Sequence, residues 1–330
     1  MKKNLFLLAV AALAMTACTN ESTEYVGDTS PQTREISFTP LATPQTRAAV
    51  EGTAFPTELS MEVAAYMVEP TAQNFFAGTT FTYDYAGGAS ASSGKWGGTT
   101  AQYWPLSACY INFLAYTGVT GTATFDSTTP ASAATITQSD NSSAQTDLMY
   151  ARGNGEVTFS ENALTIPAAV PMVFKHAQAL IKFTVMGSTN VTVNNITLNG
   201  AKYSGTYTIT HTNYNLKTTQ SVAGTWTLLG DAANVIVPGW NAAALTGSPV
   251  AVGNGLMIVP DDTGAGDFTS FTINYSLGGK AFNFTYTPTS TNVEQGHKYT
   301  YNITFTSSEI FVTATVTDWD NTNTAVSVGS

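Results

Sequence analysis

The chain has 330 residues and a net charge of −10, and only 10% of its residues are charged while 43% are hydrophobic. This composition excludes a charge-rich disordered chain, and 12 Lys and Arg are too few for the basic surface that nucleic acids require. About one residue in six is Thr, and Thr, Val, Tyr and Phe favour β-strands. We therefore predict an all-β protein, and the length predicts roughly two domains.

The N-terminus has the pattern of an export signal. Two lysines precede an apolar run from Leu5 to Met15, which is too short to span a bilayer. Small residues and Cys18 follow, as in the lipobox of bacterial lipoproteins, where the cysteine carries lipid. Residues 1–18 are therefore predicted to be a lipoprotein signal peptide, with an ordinary signal peptide and a chance cysteine as the alternative.

Residues 19–47 form a polar segment with one short alternating stretch, in which Ile36 and Phe38 are the apolar residues. The segment also holds two of the three arginines of the chain, Arg34 and Arg47. An isolated strand on a polar tether is unusual in a folded domain. We interpret it either as the first strand of a sheet or as a removable strand.

Alternation of apolar and polar residues, the pattern of half-buried strands, recurs along the rest of the chain. It predicts strands at residues 59–67, 109–116, 179–185, 271–277, 282–286, 299–305 and 310–316. Gly278 and Gly279 predict a two-residue hairpin turn, since glycine accepts the positive φ of such turns. Cys109 is predicted to be a buried structural thiol.

Three stretches rich in small and polar residues, 87–98, 126–147 and 239–255, are predicted to be loops. Two prolines near residue 169 predict a domain boundary there, because proline cannot donate to a central ladder.

Motifs for catalysis or for a nucleotide are missing from the sequence, and neither an enzyme nor a cofactor nor a metal site is predicted. The Gly-Asn-Gly run at 153–155 predicts a turn. Asp261, Asp262 and Asp267 predict a solvated turn, with a Ca²⁺ site as the less favoured alternative.

Several short motifs, in their order along the chain, resemble the fimbrillin family, which comprises the type V pilins and related surface lipoproteins of Gram-negative anaerobes. They lie at 46–48 (Thr-Arg-Ala), 103–105 (Tyr-Trp-Pro), 147–151 (Asp-Leu-Met-Tyr-Ala), 174–180 (Phe-Lys-His-Ala-Gln-Ala-Leu), 255–260 (Gly-Leu-Met-Ile-Val-Pro), 296–301 (Gly-His-Lys-Tyr-Thr-Tyr) and 316–319 (Val-Thr-Asp-Trp). The resemblance implies two tandem transthyretin-like β-sandwich domains. We place them at 48–169 and 170–330.

The resemblance also implies a function, that of a structural pilin subunit. Such a subunit is exported through the periplasm to the outer membrane as a lipoprotein held by lipid on Cys18. It is then cleaved after an arginine and polymerised with neighbouring subunits by donor-strand exchange. Arg47 is the better cleavage site because the strand with Ile36 and Phe38 lies before it, so that Ala48 becomes the new N-terminus.

The donor strand is predicted in the tail at 321–330, where Val326 and Val328 share one face. The alternative for this tail is an ordinary last strand of its own domain. The alternative function is a non-polymerising tip, anchor or glycan-binding surface lipoprotein, with host or bacterial surface ligands as partners.

Overall fold

The structure, a computed structural model, describes residues 34–42, 55–83, 96–119, 121–125, 133–138, 145–160, 163–188, 190–210, 224–261, 266–319 and 325–328. The regular structure of these residues consists of β-strands, which confirms the all-β prediction. In this part of the chain no helix is long and apolar enough to cross a membrane.

The strands are numbered in chain order: β1 (Ser37–Ala42), β2 (Met61–Glu69), β3 (Gln73–Tyr83), β4 (Trp96–Gly98), β5 (Cys109–Thr117), β6 (Ala123–Phe125), β7 (Ala133–Gln138), β8 (Met149–Ser160), β9 (Ala163–Thr165), β10 (Val170–His176), β11 (Ala179–Met186), β12 (Val191–Ala201), β13 (Gly205–Thr210), β14 (Thr225–Leu228), β15 (Ala233–Ile236), β16 (Ala243–Ala244), β17 (Val250–Ala251), β18 (Leu256–Ile258), β19 (Ser270–Leu277), β20 (Lys280–Tyr286), β21 (His297–Phe305), β22 (Ile310–Asp318) and β23 (Ala325–Val328).

The N-terminal sheet closes on itself. Its strand order is β10-β1-β4-β3-β2-β5-β8-β9, and β10 also pairs with β8 through Lys175 with Tyr150 and His176 with Met149. Strand β1 is therefore an internal member of a closed ring, between β10 and β4. Each strand of the ring contributes to a single apolar core, whose buried members include Ile36, Phe38, Met61, Val63, Phe81, Trp96, Ile111, Phe113, Met149, Ala151, Val170, Met172 and Phe174.

Strand β5 is buried along its whole length because both of its faces are covered. One face packs inside the ring, whereas Leu114 and Tyr116 on the other face join a cluster with Tyr207 and Trp226. These two aromatic residues come from a four-stranded sheet with the order β14-β13-β7-β6. The loop predicted at 126–147 is thus wrong for β7, which pairs with β13 from much later in the chain.

The C-terminal part consists of two facing sheets. One has the order β17-β11-β21-β22-β23 and the other β15-β12-β19-β20. Two further short strands lie off these orders, since β18 pairs with β11 and β16 pairs with β12. Inward-facing residues of both sheets form one apolar core. The predicted hairpin turn joins β19 to β20, with Gly278 and Gly279 at φ values of 57° and 79°, and this prediction is confirmed.

One detail of the N-terminal ring differs from the expectations. The Gly-Asn-Gly run at 153–155 lies within β8 rather than in a turn. A side chain at Gly153 would overlap Met172, and one at Gly155 would overlap Trp104, so glycine is needed here for close packing rather than for turning. In addition, β10 follows residue 169 but pairs with β1 and β8 of the ring; the division into two domains stays a prediction.

Candidate functional site

The first candidate site is the position of β1 in the closed ring. Strand β1 pairs in parallel with β10, from Phe38 opposite Val170 to Ala42 opposite Phe174. On its other side it pairs with β4 in the antiparallel sense, through Ser37 with Gly97 and Phe38 with Trp96. Main-chain ladders therefore hold β1 along both edges.

The two predicted residues of this strand fill the interior of the ring. Ile36 and Phe38 are fully buried. The ring of Phe38 meets Phe81 edge-on at 4.7 Å and Phe113 at 5.2 Å between centroids, whereas the neighbouring Thr39 is exposed. The structure thus places both residues in an apolar slot, while removal of the strand stays a prediction.

The segment that leads into β1 is fixed by polar contacts. The backbone N–H of Ile36 donates to the backbone carbonyl of Gln102 at 2.7 Å, and that of Trp104 donates to the backbone carbonyl of Arg34 at 2.8 Å. The guanidinium of Arg34 donates to the carbonyl of Trp104 at 2.9 Å and lies 5.9 Å from the ring centre of Tyr103. Arg34 therefore forms part of the folded ring.

The predicted lipidation and cleavage residues, Cys18, Arg47 and Ala48, lie outside the described residues. The chain is described up to Ala42 and again from Phe55. Phe55 is 5% exposed and packs on Trp96 and Phe174, with ring centroids 5.0 Å and 4.5 Å apart. The predicted cut would therefore separate β1 from a residue that packs on the two strands flanking it.

The second candidate segment is the C-terminal tail, described at β23. Its backbone pairs with β22 in the antiparallel sense, with Val326 opposite Val316 and Val328 opposite Ala314. Strand β23 is the terminal strand of its sheet. The tail thus lies along the edge of its own sheet in this structure, and its role as a donor stays a prediction.

A buried cluster at the base of this tail was missed by the sequence analysis. The indole of Trp319 stacks on the imidazole of His176, with centroids 3.8 Å apart and planes within 5°. Nδ1 of His176 lies 2.9 Å from a carboxylate oxygen of Asp147. The backbone N–H of Gly296 donates to Gln178 at 2.9 Å, and that of Trp319 donates to Gly296.

We call these five residues, Asp147, His176, Gln178, Gly296 and Trp319, the junction cluster. Each of them belongs to one of the short motifs that carried the family resemblance. The signal was therefore present in the sequence, but nothing in a single sequence shows that these distant motifs meet. The contacts described for these residues are with one another. The cluster joins the end of β10 in the ring to the start of β21 and the end of β22 in the C-terminal part.

The remaining predicted positions are structural. Cys109 is a free, buried cysteine, as predicted, and its burial raises the pKa of the thiol. The solvated turn predicted for the aspartates is wrong for Asp267, which is fully buried and accepts backbone N–H bonds from Asp261 at 2.5 Å and Val293 at 2.7 Å.

Asp261 also pairs with Lys202, at 2.5 Å between the charged atoms. Burial is the main cause that raises the pKa of Asp267. Asp262 lies outside the described residues. Within the described ranges no group of three or more His, Cys, Asp or Glu is placed to hold a metal ion.

Solved structures with the same all-β architecture come from Bacteroides. A candidate cell adhesion protein from Bacteroides uniformis matches with a TM-score of 0.50 and 18% identity, over 86% of this chain and 98% of that one. A fimbrial protein from Bacteroides vulgatus matches with a TM-score of 0.50 and 15% identity, over 87% of this chain and 99% of that one. A candidate cell adhesion protein from Bacteroides ovatus matches with a TM-score of 0.51 and 14% identity, over 88% of this chain and 99% of that one. At these identities the likeness shows the fold alone.

The family is shown by the sequence itself. A family model described as fimbrillin-like matches residues 46–319, and the chain belongs to this family. The resemblance inferred from the ordered motifs is thereby confirmed. Fimbriae are cell-surface appendages, and this membership favours a structural role over a catalytic one. A search of curated proteins found no match.

Proposed function

We propose that the chain is a structural subunit of a cell-surface fimbria that polymerises by donor-strand exchange. In this proposal it is exported as a lipoprotein with lipid on Cys18 and is cleaved between Arg47 and Ala48. The observation that carries the proposal is the place of β1 inside the closed ring. Strand β1 also precedes residue 46, where the family match begins.

Loss of β1 would leave an acceptor groove with unpaired backbone groups along its edges and exposed apolar surface inside it. The facing edges of β10 and β4 would lose their main-chain partners, and buried groups without hydrogen bonds destabilise a fold. The slot now filled by Ile36 and Phe38 would expose apolar surface to water. An extended strand with alternating apolar residues would pair with the free backbone groups and would fill the apolar slot with side chains that fix the register.

The tail at 321–330 is the proposed donor. Its described part, β23, is held on one side by β22, through pairs from Ala314 to Thr317. A terminal strand has one ladder to lose, whereas an internal strand such as β1 has two. Transfer of the tail into the groove of another subunit therefore exchanges one ladder for two. Head-to-tail contacts of this kind do not close and so produce filaments.

N-terminal mass spectrometry of surface protein tests the processing step. We expect a chain that begins at Ala48 in the wild type and a lipidated, full-length chain in Arg47→Ala. Arg34→Ala is the matched control, because cutting at Arg34 would leave β1 attached. A wild-type chain that keeps residues 19–47 at the surface, or an Arg47→Ala chain that still begins at Ala48, would refute the proposed site.

Deletion of residues 321–330 tests the donor role, with polymer yield as the measurement. We expect cleaved monomers that do not polymerise. A finer pair of variants is Val326→Asp, which places a charge on the proposed donor face, and Ser327→Asp, which places the same charge on the other face. Polymer yield that is unchanged by the deletion, or equally reduced by both substitutions, would overturn the donor role.

The second candidate function is a non-polymerising tip, anchor or glycan-binding lipoprotein of the surface. It is favoured by the pairing of β23 with β22 of its own sheet, which is the arrangement of an ordinary last strand. Retained lipid on Cys18 together with unchanged assembly after deletion of 321–330 would select this function.

A further inference from the structure

A groove opens at one end of the two C-terminal sheets, between the β19–β20 hairpin and the turn that joins β21 to β22. Its volume is about 830 Å³, which lies within the range of about 300–1,000 Å³ found for small-ligand sites. None of its lining residues belongs to β1, to the junction cluster or to β23. One of its walls is apolar and the other is polar.

The apolar wall is the inner face of the second sheet where it emerges from the sandwich. Phe271 and Ile273 of β19 are fully buried beneath the opposite sheet. Further along the same face, Tyr275 is only partly buried and Leu277 is 42% exposed. Phe284 of β20 shares this face, as the partner of Ile273 in the ladder, and is also partly open to the groove. Tyr275 stacks on Phe282 at 5.7 Å and meets Phe305 edge-on at 5.0 Å between centroids, so that part of its ring and part of Phe284 stay open at a position where a sandwich normally buries such surface.

The polar wall is an ordered turn at residues 306–309. The hydroxyl of Thr306 accepts the backbone N–H groups of Ser308 at 3.3 Å and of Glu309 at 2.9 Å, and it donates to the carbonyl of Glu309 at 2.9 Å. On the opposite rim the hydroxyl of Ser188 bonds to the side chain of Asn190. The rim thus carries hydroxyl, amide and carboxylate groups, part of them on a turn whose backbone is held by the hydroxyl of Thr306.

The charge of the lining limits the class of ligand. Among the described residues that line the groove, Glu309 is the one charged residue, and none of them is Lys, Arg or His. A phosphate, a sulfate or an acidic sugar would find no cation and one repelling carboxylate. A wholly apolar ligand would strip water from the hydroxyl and carboxylate groups without replacing their hydrogen bonds.

An extended peptide fits less well than a compact ligand. Strand addition needs a free main-chain edge, and the polar wall offers none, since it is a turn in which the N–H of Thr306 donates to the carbonyl of Glu309 at 2.9 Å. A free edge is present at β20, the terminal strand of its sheet, but a peptide paired there would leave the hydroxyl and carboxylate groups of the polar wall without partners. A pyranose ring, in contrast, has an apolar C–H face and a rim of neutral hydroxyl groups. This pair of surfaces matches the two walls of the groove.

We propose that this groove is a binding site for a neutral carbohydrate. The C–H face of the sugar packs on the partly exposed rings of Tyr275 and Phe284. Its hydroxyl groups bond to the rim formed by Asn190, Ser307 and Glu309. The proposal goes beyond the structural role of a fimbrial subunit and gives a location to the glycan binding named in the second candidate function. It does not depend on cleavage or strand exchange, because none of the residues of the site belongs to the segments involved in them.

Binding of the purified full chain to a glycan array tests the site. The probes are neutral oligosaccharides of glucose, galactose and mannose beside their sulfated and sialylated counterparts. We expect binding to one or more neutral probes and weaker binding to the acidic ones. Phe284→Ala should weaken that binding about tenfold or more, which corresponds to at least about 1.4 kcal/mol.

Phe311→Ala is the matched control, since Phe311 is 52% exposed on β22 but does not line the groove; its binding should equal that of the wild type. Ser307→Trp fills the groove from an exposed turn without removing an apolar side chain and should also abolish binding. The proposal is overturned by an absence of neutral binders or by equal binding of acidic probes. It is equally overturned by wild-type binding in Ser307→Trp, or by a peptide that binds where no glycan does.

Discussion

Truncation of the buried aromatic side chain of Phe38 should weaken the attachment of β1 to the closed sheet and leave the rest of the chain almost unchanged. Phe38 is fully buried and makes edge contacts with Phe81 and Phe113. Phe→Ala substitutions in cores destabilise by about 3–5 kcal/mol, and each aromatic contact contributes about 0.5–1.5 kcal/mol of that total. Two contacts within a closed ring that has little freedom to collapse give an expected loss of about 4 kcal/mol for Phe38→Ala.

Hydrogen exchange followed by mass spectrometry measures this loss locally, because opening of a segment exposes its amides. For the uncleaved chain, Phe38→Ala should speed exchange in the β1 and β10 peptides by nearly three orders of magnitude, at tenfold per 1.4 kcal/mol. The β19–β20 hairpin should exchange as in the wild type. Thr39→Ala is the matched control, since an exposed substitution changes stability by about 0.5 kcal/mol at most. An equal effect of both variants, or a loss below about 1 kcal/mol for Phe38→Ala, would refute the packing described for β1.

Three further predictions concern buried groups. Gly155→Ala should destabilise the chain by about 1–3 kcal/mol in urea unfolding, because the added methyl overlaps the buried indole of Trp104. Cys109 should resist alkylation by iodoacetamide in the native chain and react after unfolding, because burial raises the pKa of its thiol. Burial also raises the pKa of Tyr116 and of Tyr299 from 10.0 to about 12. The unfolded chain then loses these protons first, so stability should fall as the pH rises from about 10 to about 12.

Each of these predictions has a separate check. Gly247→Ala is the matched control for Gly155→Ala, since a methyl at Gly247 meets no atom within 4 Å; equal losses would contradict the packing argument. Mass spectrometry of the Cys109 peptide follows its alkylation, and full labelling of folded protein would contradict its burial. Absorbance near 295 nm follows tyrosine ionisation, and a native titration complete by pH 10 would contradict the raised pKa values.

The strands were predictable wherever one face is buried and the other is exposed to solvent. Such strands alternate with a period of two, as in the segments that became β11, β19 and β21. The hairpin at Gly278 was predictable for a related reason, since its turn geometry is local. The family followed from the order of short motifs, although each motif alone is weak.

Contacts between distant segments were not predictable from one sequence. His176 and Trp319 stack on each other across more than a hundred residues of chain, and neither residue shows this in its local pattern. The Gly-Asn-Gly run of β8 resembles a turn in the sequence, because Met172 and Trp104, which leave no room for side chains at its two glycines, reach them only after folding. The burial of Asp267 has no local signal either, because one of the two backbone donors that bind its carboxylate, Val293, comes from a separate loop.

The covalent link between β1 and the ring has a consequence for assembly. A strand tethered by a short linker, here residues 43–54, competes for its own slot at an effective concentration on the order of millimolar. An untethered donor at about micromolar concentration is outcompeted by roughly a thousandfold, or about 4 kcal/mol. A single peptide-bond cleavage within the linker removes this advantage without altering any contact of the folded strand. Under the proposed function, the uncut linker would therefore keep subunits monomeric during export, and the start of polymerisation would depend on a protease rather than on subunit concentration.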